Sequence, residues 1–102
     1  MSFSTSESSE CKAVDIVIDE IEFVVKCSGG NVLHIPFDWF PRLLHATHEE
    51  RGDWMLIDDG RGIHWEQVDE DISVAGLVAG RGSGESETSF ASWLAARERV
   101  EA

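Results

Sequence analysis

"AVDIVIDEIEFVVK", residues 13–26, decides how this chain folds. In an extended strand successive side chains point to opposite faces. Val14, Ile16 and Ile18 therefore share one face and Asp15 takes the other. A two-residue turn at Asp19-Glu20 sets Ile18 against Ile21, Ile16 against Phe23 and Val14 against Val25. All six then line one surface, with Asp15 and Glu22 on the opposite one. A slip of one residue would scatter them, so the pairing is strongly specified. Asp-Glu is not the Asn-Gly or Asp-Gly pair that two-residue hairpins favour, which leaves the turn type open.

Outward from this hairpin the chain alternates short strands and helices. Residues 1–10 are rich in serine and glutamate and are expected to be disordered. "SGG" (28–30) reads as a three-residue hairpin loop in which Gly30 can take a positive φ. "NVLHIPF" is then a third strand, with Leu33 and Ile35 on the core face, His34 outward and Pro36 ending the ladder. In "FDWFPRLLHATHEERG" Asp38 is a candidate N-cap and Pro41 suits the first turn. Phe40, Leu43, Leu44 and Thr47 fall on one helical face, and Gly52 is placed to close the helix. "WMLI" (54–57) and "IHW" (63–65) read as a hairpin about "DDGRG", with Ile63 and Trp65 facing one way and His64 the other. "DISVAGLVAG" reads as a short helix capped by Ser73, stapled by Ile72 and Leu77 and stopped by Gly80. Residues 81–87 read as a flexible linker, and 88–102 as a capped helix with Phe90, Trp93, Leu94 and Arg97 on one face.

The expected architecture is an α+β domain over residues 11–80. It has a small antiparallel sheet of about five strands packed on one main helix, a short second helix, and a C-terminal amphipathic helix on a linker. The 102 residues suffice for one core without metals or disulfides. No apolar run approaches the roughly 20 residues of a membrane span. The N-terminus lacks the basic start and apolar stretch of a secretory signal, so a cytoplasmic location is expected. With 20 acidic and 8 basic residues the net charge is −12. That charge repels phosphate backbones and anionic membranes. An acidic surface can serve solubility alone, and its sharper reading is a basic protein partner.

"GIHWEQVDEDIS" (62–73) concentrates a histidine, a tryptophan and four carboxylates. It has neither the His-Glu-x-x-His nor the EF-hand spacing, so no metal site is expected. Asp69, Glu70 and Asp71 are expected just before a short helix, where its N-terminal dipole favours negative charge. Trp65 would anchor that turn from the core. His34, His45 and His48 are scattered surface histidines. In the proposed register Cys27 shares a face with Lys12, so Cys11 points away and the two are expected to be reduced thiols. No Cys-x-x-Cys, Ser/His/Asp or phosphate-loop arrangement is legible, and the glycines at 60, 62, 80, 82 and 84 read as turns and linker. No enzyme and no cofactor is expected.

Trp39-Phe40-Pro41-Arg42-Leu43, Ala46-Thr47, Glu50-Arg51, Trp54, Gly62-Ile63-His64-Trp65 and Val68-Asp69-Glu70-Asp71-Ile72 occur in an order that resembles a small bacterial family, domain of unknown function 2442. The resemblance covers about residues 12–80. Where the family often has proline after its His-Trp, this chain has Glu66. The resemblance implies a compact α+β domain with an antiparallel sheet and one main helix, and no catalytic set to carry over. It also implies a genomic arrangement similar to toxin–antitoxin pairs, beside a second small protein. Some members carry a helix-turn-helix segment after the domain, and the tail here is too short for one.

The leading expectation is a non-enzymatic interaction module, antitoxin-like, for a small basic protein. Asp58, Asp59, Glu66, Asp69, Glu70 and Asp71 would form its acidic ridge, and Phe90, Trp93 and Leu94 an apolar anchor. The tail helix has two open destinations, a partner or its own sheet, and a homodimer through an edge strand or the tail is also open. The alternative is a regulatory or accessory domain recognising a small ligand or metal near His64 and Trp65.

Overall fold

The computed structural model describes residues 11–101, and side chains as far as Arg97. The expected disorder of residues 1–10 lies outside them. The first sheet has the strands β1 (Ala13–Ile18), β2 (Glu22–Cys27) and β3 (Val32–Pro36), antiparallel in that order. Two short helices follow, α1 (Pro41–Leu44) and α2 (His48–Gly52). The second antiparallel sheet orders β4 (Trp54–Ile57), β5 (Gly62–Trp65) and β6 (Glu70–Ser73). Helices α3 (Val74–Val78) and α4 (Glu87–Glu101) complete the chain. The α+β class is the expected one, but a single five-stranded sheet on one main helix is not what forms. The inner faces of two three-stranded sheets share one core, where Phe23 meets the edge of Trp65 at 5.3 Å between centroids.

The first hairpin keeps its face but not its register. Ile16 stands opposite Val25 and Ile18 opposite Phe23, two residues from the expected pairing. A shift of two preserves side-chain parity, so Ile16 and Phe23 are still buried on one surface. The turn is longer than Asp19-Glu20: the Asp19 N–H donates to the Glu22 carbonyl at 2.9 Å. Ile21 falls in that turn and is 76% exposed. Its carbonyl accepts the Phe37 N–H at 3.0 Å, tying the turn to the end of β3.

A bulge between Ala13 and Asp15 then reverses the parity of the chain before it. Val14, expected in the core, is 57% exposed, and Ala13 is buried in its place at 4%. The reversal also corrects the reading of the cysteines. Cys11 now lies on the side of Cys27, and the two are joined as a disulfide with Cα atoms 5.6 Å apart. The β2–β3 loop is the expected one: the Cys27 N–H donates to the Asn31 carbonyl, and Gly30 has φ 95°.

The expected main helix is broken. Pro41 opens α1 as foreseen, but Asp38 makes no capping bond and sits in a 3-10 turn at Phe37–Trp39. Thr47 caps a second helix through a capping box with Glu50. The break is satisfied by Arg51, which donates to the carbonyls of Leu43 and Leu44 at 2.9 Å each. Those are C-terminal carbonyls of α1 that a continuing helix would have used. Leu44, expected on the buried face, is exposed. Gly52 is the last residue of α2 and has no positive φ, so the cap expected of it is absent.

The strand β6 was not foreseen. Asp69 adopts φ 54° and lets the chain reverse straight after β5, so Glu70 and Asp71 lie in a strand rather than before a helix. The end of the next helix is as expected. Ser73 accepts the Gly76 N–H, and Ile72 and Leu77 are both buried. Gly80, at φ 81°, donates to Leu77 while Arg81 donates to Gly76, which is a Schellman close. Among the described residues no helix is long and apolar enough to cross a membrane.

Candidate interaction surface

The outer face of the second sheet follows from strand parity. In β5 Ile63 and Trp65 turn inward and are fully buried, so His64 turns outward. Residues opposite one another in an antiparallel pair share a face, which places Met55 and Asp71 beside His64. The imidazole is clamped by two carboxylates: Nδ1 lies 2.5 Å from Asp71 and Nε2 2.7 Å from Glu66. Satisfying both requires both ring N–H groups, so the cation is favoured. The hydrogen bonds to Glu66 and Asp71 accordingly raise the His64 pKa above its ordinary value. With both nitrogens engaged, His64 has no free position for base chemistry. Among the described residues no group of three or more His, Cys, Asp or Glu side chains is arranged to hold a metal ion.

The six acidic residues expected to form one ridge are divided. Asp58 and Asp59, at φ 53° and 57°, make the β4–β5 turn, and Asp59 lies 3.3 Å from Lys12 Nζ. Asp69 makes the next turn. Glu66 and Asp71 flank His64. Glu70 goes the other way. It pairs with Trp65 and so points to the core side, toward Arg42 and Glu85. Burial pushes its carboxyl up to about 7, the Glu85 charge adds to this, and Arg42 opposes it. Glu70 is therefore not part of an outward ridge.

Beside this face lies a cleft of about 580 Å³. Its apolar lining is Ile57, Ile72, Ala75 and Val78, and Asp58, Arg61 and Asp71 bring charge to it. Sequence reading missed the apolar members because the cleft exists only once β6 pairs with β5 and brings Ala75 and Val78 into one lining with Ile57. Trp65, expected near a ligand, is fully buried on the opposite side, where its indole N–H donates to the Arg51 carbonyl at 2.8 Å. The core-anchor role read for it is the one it fills.

The tail residues are occupied within the chain. Phe90 packs on His45 at 5.3 Å and stacks on Trp93 at 5.8 Å. Arg42 and Arg97 lie over the Trp93 ring at 5.2 and 4.8 Å. Arg97 also forks onto Glu50 at 2.9 and 3.0 Å. The helix thus returns onto α1 and α2 rather than onto a sheet, with Phe90, Trp93 and Leu94 half-buried. The segment before it is held too: Ser83 donates to the Trp39 carbonyl, and Arg42 grips Glu85 through Nε and Nη2. The remaining Arg42 nitrogen donates to the Val68 carbonyl at 2.9 Å.

Arg42, Thr47, Glu50, Arg51 and Trp65, prominent in the resemblance, therefore hold the scaffold rather than line a site. The family model described as "Protein of unknown function (DUF2442)" matches residues 12–83. A crystal structure of a protein of unknown function from Rhodospirillum rubrum is similar at a TM-score of 0.68 and 26% identity, covering 74% of this chain and 94% of that one. A solution structure of an uncharacterised protein from Chromobacterium violaceum is similar at a TM-score of 0.65 and 23% identity. That likeness covers 79% of this chain and 77% of the other. No functionally curated protein matches this sequence.

Proposed function

The chain belongs to the DUF2442 family of proteins of unknown function, and from that premise we propose that it is a binding module without catalytic chemistry. Its partner is a small basic protein, held in an antitoxin-like pairing. One observation carries this reading. Exposed apolar side chains (Met55, Ile57, Val78) lie among exposed carboxylates (Asp58, Glu66, Asp71) on the second sheet and its cleft, in a chain of net charge −12. An apolar centre with a charged surround is the usual anatomy of a protein interface. Charge of one sign speeds and orients the encounter more than it tightens the complex.

The test is co-purification with the product of the neighbouring reading frame. The complex is expected at low salt, weakening as the Debye length shrinks from about 10 Å toward 3 Å. Combined Asp58→Asn, Glu66→Gln and Asp71→Asn should slow its association. No complex at low salt would sink the reading. A second reading, a regulatory domain holding a small ligand, has the cleft in its favour, since its 580 Å³ falls within the roughly 300–1,000 Å³ of ligand sites. A rise in melting temperature with a small molecule, and none with the basic protein, would select it.

A further inference from the structure

We propose that the basic partner docks on the outer edge of β4, adding an extended strand to the second sheet. This rests on the reading of the partner as basic and specifies how it is held. An edge strand presents unpaired backbone N–H and C=O groups, and folded proteins blunt such edges with charge, proline, bulges or covering segments. Three of the four sheet edges here are blunted. β1 has its bulge and Asp15, and Gly60 of the β4–β5 turn lies against its Ala13 backbone. β3 ends in Pro36 and is met by α3. β6 carries Glu70 and Asp71 and leads directly into α3.

β4 is as short as β6, at four residues, but carries no charge, proline or bulge of its own. Its sequence is Trp54-Met55-Leu56-Ile57, its register with β5 is regular, and it packs chiefly on β5 and the turn that follows. Among the described residues no backbone hydrogen bond from a turn, loop or cap reaches it. Met55 is 52% and Ile57 37% exposed. An apolar strand with an open ladder is a template for another strand. Main-chain bonds would supply affinity, and alternate side chains would meet Met55 and Ile57.

The flanking charges choose the occupant. Exposed Asp53 precedes β4, and exposed Asp58 and Asp59 follow it. Asp59 is already shared by Lys12 at 3.3 Å and Arg61 at 3.9 Å, so Asp53 and Asp58 are the charges that face an occupant. A second copy pairing antiparallel would bring its own Asp58 to Asp53, and the reverse at the other end. Like charges opposite one another are destabilising. A partner strand with an apolar alternation and a lysine or arginine at each end has the complementary pattern.

The probe is a synthetic peptide of alternating valine and threonine with lysines at both ends. It is compared with the same peptide N-methylated at alternate amides and with a glutamate-ended version. The lysine peptide is expected to slow hydrogen exchange at alternate β4 amides by about ten-fold or more, and the other two are not. Met55→Lys should abolish the protection while leaving the melting temperature unchanged, since the side chain is exposed. Equal binding of the plain and N-methylated peptides, protection on another strand, or no binding of the lysine peptide would overturn the edge assignment. None of these decides the wider reading, which stands or falls on co-purification. A concentration-dependent dimer lost in Met55→Lys would identify a second copy as the occupant and overturn the proposal.

Discussion

The two sheets have the same strand order and the same hairpin connections, yet they are used differently. Both inner faces go to one core, Phe23, Val25 and Ile35 from the first and Ile63, Trp65 and Ile72 from the second. The first sheet has blunted edges, one of them abutted by the second sheet's own turn. The second carries a clamped histidine, exposed carboxylates and, in β4, an edge strand with no charge, proline or bulge of its own. The difference teaches that burial fixes the inner faces and leaves outer faces and edges free to specialise.

The largest expected effect breaks what the sheets have in common. Trp65 is fully buried, and its indole N–H satisfies the Arg51 carbonyl. Trp65→Ala should cost roughly 3–5 kcal/mol, from the cavity and the orphaned carbonyl together. Both sheets should unfold in one transition at a lower denaturant midpoint. A loss confined to the second sheet would show that they do not share a core.

Gly60 tests the contact between the sheets. It has φ 84°, and a Cβ there would lie 2.6 Å from the Ala13 carbonyl oxygen. Gly60→Ala should cost about 2 kcal/mol or more, through left-handed backbone strain and displacement of the β1 bulge. Gly29→Ala meets nothing within 4 Å and should stay within about 0.5 kcal/mol. Equal thermal shifts for the two would show that the turn does not press on the first sheet.

The smallest effect sharpens the electrostatic side of the comparison. The Glu70 carboxyl is raised from its ordinary 4.5 to about 7, so across that interval the folded state holds more protons than the unfolded one. Its contribution to stability therefore falls as pH rises toward 7. His64, also raised, acts in the same direction: its clamp stabilises fully below the ordinary 6.5 and is lost as pH rises through the folded value. Glu70→Gln should stabilise the protein above pH 7 by about 1 kcal/mol, after allowance for the group's partial exposure. An unchanged pH profile in that variant would place the Glu70 carboxylate in water.

Much of the fold was legible because it follows from short-range rules. The β2–β3 loop needed only "SGG", the β4–β5 hairpin only its alternation, and α3 only Ser73 and Gly80 at its ends. The candidate surface was legible in its residue types, with His64 outward and acids clustered nearby. Its partition was not. Glu70 and Asp71 are neighbours in sequence, but the pleat sends one toward Arg42 and the other to His64.

Sequence alone determined parity along the body of the first hairpin, and hence that Ile16 and Phe23 share a surface. It also determined the acid excess, a net charge of −12. The tertiary structure alone decided register, helix continuity and sulfur pairing. A two-residue shift costs no burial, so local alternation cannot choose between registers. One bulged residue moved Val14 outward and brought Cys11 to Cys27. The Arg51 guanidinium, from the next helix, made a broken helix acceptable by taking its last carbonyls. Each outcome depends on groups from different elements meeting in space, which periodicity does not encode.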